Sequence, residues 1–355
     1  MKKTDLVLIA SVIFLTIFGL FMIYDASSFV AFRDFSDKYH FVKDQIFWVF
    51  LGITSLIFFA NFDYHRLYNL AIPALLASIA LLFMVFIPGL GLKLLGASRW
   101  VDFKFFTLQP SEVVKLTLAI YLSAWFSNKE KGRLRAFLLL VGLILSLVVM
   151  QPDMGTSIII LAEAVTVYFL SGANILHLLI LAPITFIIGT IVAIIEPYRL
   201  QRIYTFFNSN QDIANSSYHV RQILIALGSG GLIGVGLGNS LQKYAYLPEN
   251  ATDSIFAIIA EELGFIGALA IILIFVTVII RGFRISAMAK DLFGKLLSGG
   301  ICAFLATQII LNLGSQTALI PLTGVPLPFI SHGGTSLIIN LTSIGILLNI
   351  KKQST

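Results

Sequence analysis

Long apolar runs separated by short polar breaks dominate the chain. They fall at 6–24, 46–61, 70–88, 111–127, 137–150, 155–171, 176–195, 255–280, 296–314 and 335–350. At 1.5 Å per residue, the longer runs cross the ~30 Å hydrocarbon core of a bilayer as helices. They are continuous and lack the dyad alternation of a lipid-facing strand, so a β-barrel is excluded. The pattern predicts an all-α, polytopic membrane protein of about ten transmembrane helices, forming one domain over 1–355. The two shortest runs are separated only by "QPDMG" at 151–155, which leaves open that one of them is re-entrant.

Composition agrees. The chain is 58% hydrophobic and 12% charged, with a mean hydropathy of +0.93, far from the soluble globular range. Its Lys and Arg concentrate in alternate short breaks, at Lys2, Lys3, Arg66, Lys129, Lys131, Arg133, Arg135, Arg281, Arg284, Lys290, Lys295, Lys351 and Lys352. The positive-inside rule then puts both termini in the cytoplasm and the longer segments outside, above all the loop at about 196–254. This bias accounts for the net charge of +6, so nucleic-acid binding is not invoked. The N-terminal run is too long for the apolar core of a signal peptide and reads as the first span. Cys302 is the sole cysteine, which excludes an internal disulfide.

Within 196–254, residues 220–227 have a helical pattern. Gly228, Gly230, Gly231, Gly234, Gly236 and Gly238 suit sharp turns or close backbone packing, so this loop is expected to be ordered. The glycines match neither G-x-G-x-x-G nor a Walker A loop, which removes nucleotide-cofactor chemistry.

Charges inside apolar runs cost several kcal/mol unless paired or hydrated, and so mark candidate sites. Glu112 and Lys115 stand at i, i+3 on one helix face, either as a self-satisfied pair or as part of an outward polar cavity. Asp153 lies in the "QPDMG" turn, where a turn-stabilising role competes with a functional one. Glu163 sits mid-run with no opposite charge nearby in sequence, and must face the protein interior. In "PENATDSIF" at 248–256, Thr252 or Asp253 could cap the following helix, or Asp253 could serve as a base. Glu261 follows Asp253 by two helical turns, which suggests a shared face. Glu261 and Glu262 suit buried hydrogen bonds or a salt bridge, and Glu249 a turn.

Six segments in order, "GASRWVDF", "LQPSEVVKL", "QPDMGTS", "EPYRLQR", the stretch 224–267 around "YLPENATDSIF", and "LIPLTGVPLPFISHGGTS" at 319–336, resemble the SEDS (shape, elongation, division and sporulation) proteins, the FtsW/RodA-type glycosyltransferases. "GLGNSLQK" and "EPYRLQR" look closer to the division-type FtsW branch. The chain departs from the family pattern at His219, Ile223, Asn250, Ala251, Ala318 and His332. The resemblance implies polymerisation of lipid II at the outer face of the bacterial cytoplasmic membrane, with undecaprenyl diphosphate leaving. It implies Asp253 as general base, by its match to the Asp of P-E-x-x-T-D-x-x-F, and a substrate site drawn from Glu112, Lys115, Arg99, Arg202, Asp153, Ser331 and His332. The diphosphate would be stabilised by Lys115, Arg99, Arg202 or a divalent cation, Mg or Mn. A class B penicillin-binding protein is the implied partner. Two other classes compete: a flippase for lipid-linked oligosaccharide, which ten spans with buried charges would also suit, and a non-catalytic cell-wall scaffold.

Overall fold

The computed structural model describes residues 5–94, 97–128, 133–195, 200 and 216–354. Each of the ten apolar runs matches one helix, with the run at 70–88 overrunning its helix by four residues and that at 155–171 by one: α1 (Leu6–Phe35), α2 (His40–Asn61), α3 (Arg66–Met84), α4 (Pro110–Ser127), α5 (Leu134–Met150), α6 (Met154–Leu170), α7 (Ile175–Ile195), α9 (Ile255–Met288), α10 (Leu292–Gln316) and α11 (Gly334–Ser354). An eleventh described helix, α8 (Ser216–Gly230), contains the helical stretch expected in the long loop. Among the described residues, α1, α2, α3, α9, α10 and α11 are long and apolar enough to cross a bilayer, and α5 and α6 are shorter apolar helices.

Contacts assign the helix ends to two faces. Asp5 meets Arg281 at 3.6 Å, Lys352 donates to Asn61 at 3.2 Å and Gln353 to Asp63 at 2.9 Å, while Tyr64 donates to Asp291. Both ends of the described chain therefore share one face with the α2–α3 and α9–α10 turns. Helix α5 starts at that face, where Arg133 donates to Trp125 O, and ends at the other, where Gln151 donates to Leu82 O. Helix α6 returns, ending with Leu170 against Gly299. Neither is re-entrant.

Two features escaped the periodicity. A three-stranded antiparallel sheet, β1 (Gly91–Leu94), β2 (Ala97–Asp102) and β3 (Thr107–Leu108), joins α3 to α4. Helix α9 is broken at Gly264, whose φ of 68° and ψ of −171° leave the helical region. The break would strand backbone groups at membrane depth, where no water replaces them. The glycine-rich loop after α8 fills it: Val235 and Gly236 N–H donate to Glu261 and Glu262 O, and Phe265 and Ile266 N–H donate to Gly231 and Leu232 O, all at 2.9–3.1 Å. A Cβ on Gly264 would lie 2.7 Å from the Ile233 backbone, so only glycine admits the loop.

Burial is inverted relative to a soluble bundle. The apolar windows of α10 and α11 are 78% buried, against 17–39% for α1, α2, α3 and α9. The two central helices carry the polar residues, including Ser298, Gln308, Asn312, Ser336 and Asn340, while the outer helices present apolar side chains to lipid.

Candidate active site

On the face opposite the chain ends, the segment from Thr317 to Gly333 connects α10 to α11 and holds the turn before α9. Three successive carbonyls of that turn are fastened to it or to α10. Ala251 O accepts from His332 N–H (2.9 Å), Thr252 O from Ser331 Oγ (2.6 Å) and Asp253 O from Asn312 Nδ2 (2.9 Å). The clamps are themselves held: Ser331 Oγ accepts from Leu327 N–H, and Asn312 Nδ2 also donates to Val325 O, both at 2.8 Å. Gln45 of α2 donates to Ser331 O and accepts from Gly333 N–H, and His332 Nε2 lies 3.1 Å from Asp44 Oδ2. The turn carrying Asp253 is thus fixed by α10 and the α10–α11 segment, and α2 holds that segment in place.

Its carboxylate projects over Gly324, which has φ +70°; a Cβ there would sit 3.4 Å from Asp253 Oδ2. The capping role expected of Thr252 or Asp253 is not observed. Ser254 occupies the N-cap without a side-chain cap bond, and its hydroxyl pairs with His219 Nε2 at 2.7 Å. Thr252 Oγ1 donates instead to Glu249 O at 3.3 Å. Because Asp253 precedes the helix, the shared face with Glu261 is also absent.

Across the 323–325 stretch lies a second cluster. A Cβ on Gly155 would be 2.9 Å from Thr323 O, so the start of α6 abuts the same segment that Asp253 overlies. Asp153 caps α6, accepting from Thr156 N–H (3.1 Å) and Thr156 Oγ1 (2.8 Å), and also from Gln109 Nε2 (3.3 Å). Arg99, on β2, donates to the Gln151 and Pro152 carbonyls of that turn. Gln109 N–H donates to Thr335 Oγ1 and ties the cluster to α11.

Deeper in the bundle, Lys115 pairs with Glu112 at 2.8 Å and donates to Gln308 Oε1 at 2.7 Å, with Lys115 0% and Glu112 2% exposed. Gln308 Nε2 continues to Pro326 O at 2.9 Å. Gln308 and Asn312, one turn apart on α10, therefore join the Lys115 pair to the Asp253 turn. Glu163 shares this layer: Gly300 packs on Ala119 and Val167, and one turn from each stand Phe304, Lys115 and Glu163. Glu163 is fully buried, as expected, and neither carboxyl oxygen has a hydrogen-bond partner among the described residues.

Glu261 and Glu262 end the short first half of α9. A helix C-terminus disfavours carboxylates, so each needs donors. Glu261 takes them from Ser229 and Ser240 hydroxyls and Leu241 N–H, and Glu262 from Ser240 N–H (3.1 Å) and Lys243 Nζ (3.2 Å). Lys243 also reaches Asp25 of α1 at 2.9 Å. Glu249 O closes the turn by accepting from Thr252 and Ser254 N–H.

The structure thus gathers Asp253 with Ser331 and His332, Asp153 with Arg99, and Glu112 with Lys115, on three sides of one loop; Arg202 lies outside the described residues. Among the described residues no group of three or more His, Cys, Asp or Glu side chains is placed to hold a metal, and Asp153 and Asp253 are separated by the 323–325 stretch. Sequence reasoning missed Gln45, Gln109, Gln308 and Asn312. The last two carried a signal: Gln308, Asn312 and Gln316 recur every four residues in an apolar run, and all are at most 1% exposed.

The cell-cycle-protein family model for FtsW, RodA and SpoVE matches residues 5–355. The chain belongs to this family. It is 38% identical to stage V sporulation protein E of Bacillus subtilis, over 99% of both chains. It is 37% identical to a probable peptidoglycan glycosyltransferase FtsW of Geobacter metallireducens, over 99% of this chain and 96% of that one. Two solved structures share the fold. A chain of a peptidoglycan synthase complex that coordinates polymerization and crosslinking aligns with a TM-score of 0.83 and 24% identity, covering 100% of this chain and 99% of that one. The rod shape determining protein RodA of Thermus thermophilus aligns at 0.72 and 24%, covering 99% and 97%.

Proposed function

We propose that this family member is a peptidoglycan glycosyltransferase that polymerises lipid II at the outer face of the bacterial cytoplasmic membrane. One observation supports the reading: the turn carrying Asp253 is held through three successive carbonyls by α10 and the α10–α11 segment, while its carboxylate is turned over Gly324. The general base for a hydroxyl nucleophile needs a fixed position and a carboxylate not committed to capping. Asp253 takes the proton of the acceptor 4-hydroxyl as that oxygen attacks the anomeric carbon. The sugar–phosphate bond breaks, undecaprenyl diphosphate leaves, and a single displacement inverts the anomeric centre.

Charge on the departing diphosphate calls for cations, and Arg99 and Arg202 are assigned that task. Fully buried Lys115 acts one step back, with Glu112 and Gln308, by fixing α4 against α10 beneath the site. Ser331 and His332 position Asp253 through its turn, and Asp153 anchors the floor on the far side of the 323–325 stretch. A class B penicillin-binding protein supplies the crosslinking partner, in keeping with the complex in which the structural relative was solved.

The broken helix α9 is the one observation favouring a flippase, since interrupted helices line many transport pathways. Glycan formation from lipid II by the purified protein, alone and with a class B partner, decides between the two. Polymer formation supports the transferase; lipid scrambling in proteoliposomes without polymer supports the flippase.

A further inference from the structure

We infer that the protein binds one acidic phospholipid in the groove between α1, α2 and α11, on the face that carries the chain ends. The groove has a cavity volume of about 400 Å³ and is walled by aliphatic side chains of all three helices. Packing explains why it exists. Gly345 brings α11 onto the backbone of α2 at Leu56, and Ser55 and Thr342 hydroxyls bond across that contact at 2.6 Å. Helix α1 is drawn elsewhere: Gly19 rests on the Ile330 backbone near the opposite face, and Asp5 pairs with Arg281 of α9. Between those two attachments α1 stands away from the α2–α11 pair and leaves a furrow.

Its length matches one leaflet. The lining runs from Val49 to Asn61 on α2 and from Leu341 to Lys352 on α11, about 16–18 Å at the helical rise, against ~15 Å for half of the hydrocarbon core. The walls are dry. Thr16, the only hydroxyl among the lining residues of α1, donates to Val12 O at 2.9 Å, so its hydrogen is satisfied within the helix.

One lysine, Lys352, stands at the mouth. Asn61 is held by its own donation to Ile57 O (2.9 Å) and accepts from Lys352 Nζ (3.2 Å), which keeps that ammonium at the headgroup level. A furrow one acyl chain long, dry along its walls and basic at its mouth fits a phospholipid whose headgroup carries net negative charge, with one chain in the groove and its phosphate at Lys352.

The test uses the full-length protein in detergent, stripped of lipid and offered equimolar phosphatidylglycerol and phosphatidylcholine, with retained lipids counted by native mass spectrometry. Wild type is expected to keep one phosphatidylglycerol, preferred about fivefold, the effect of one basic residue at a bilayer surface. Lys352→Gln, which removes the charge, should bring the two lipids to parity. Ile17→Trp, at a lipid-exposed wall position, should reduce retention of both. Gel filtration and thermal unfolding confirm folding, and Lys352→Gln carries the test alone if the tryptophan variant does not fold. Equal retention by wild type, selectivity unchanged in Lys352→Gln, or a dimer that disappears with Ile17→Trp would each overturn the proposal; the last would make a second copy the occupant.

Discussion

Asp253 and the Glu261–Glu262 pair flank the same short half-helix, yet they are built in opposite ways. Around Asp253 the bonds from α10 and the α10–α11 segment end on main-chain carbonyls of its turn. At Glu261 and Glu262 they end on the carboxylates, which gather two serine hydroxyls, two backbone N–H groups and Lys243. A residue positioned through its backbone keeps its place when its side chain changes. One that positions others through its side chain does not. On the proposed function, the contrast separates the base from the carboxylates that anchor the glycine-rich loop.

The largest effect is expected where a buried charge loses its partner. Lys115→Met leaves the buried Glu112 carboxyl without its partner, and should cost about 3–5 kcal/mol in unfolding measured in detergent. Replacing Glu112 by Leu in the same chain should recover most of that loss; no recovery would mean the pair does not act as a unit. Next comes Glu262→Gln, which keeps the shape but breaks the ion pair with Lys243. About 1.5–3 kcal/mol should be lost, with faster proteolysis of the 231–243 loop. Stability equal to wild type would place the loop's anchorage elsewhere.

Ser331→Ala lies between the two regions, removing a side chain that acts on the Asp253 backbone. Stability should fall by about 1 kcal/mol and kcat by about tenfold, with KM little changed. A change confined to KM would instead make Ser331 a direct substrate contact. The smallest effect concerns the opposite face. Gln353, and then His65, hold the Asp63 carboxyl down to about 2. Because this folded value lies below the ordinary carboxylate range, the contribution is complete above pH ~4 and is lost as pH falls through about 2. Asp63→Asn should remove only that part of the acid dependence, read as the slope of melting temperature against pH.

The helices were legible because an apolar run of bilayer length has one structural meaning, and each of the ten runs became one helix. What failed were features set by tertiary contact. The break at Gly264 is invisible to periodicity because Leu263 and Phe265 continue an apolar pattern, and only the incoming loop makes the break affordable. The hairpin of β1 and β2 contains "RWVD", too short to stand out beside the spans. Asp253, Asp153 and the Glu112–Lys115 pair were found as acids or charges out of place. The roles of Gln308 and Asn312 were hidden because a neutral amide raises no electrostatic alarm, although their four-residue spacing marked a buried polar stripe. Lys115 looked like a cavity residue from its helix end, and the structure buries it completely against Glu112 and Gln308.

The most direct measurement is lipid II polymerisation by Asp253→Asn, run beside its thermal unfolding. Asparagine fills the same space, and the clamps from Asn312, Ser331 and His332 act on carbonyls that the substitution leaves in place. Its amide cannot accept the acceptor's proton at neutral pH. The variant should remain folded and polymerise on the order of 10²–10⁴ times more slowly, the span of general-base contributions. Near-native polymerisation would contradict the assignment and return the search for the base to Asp153 and Glu112.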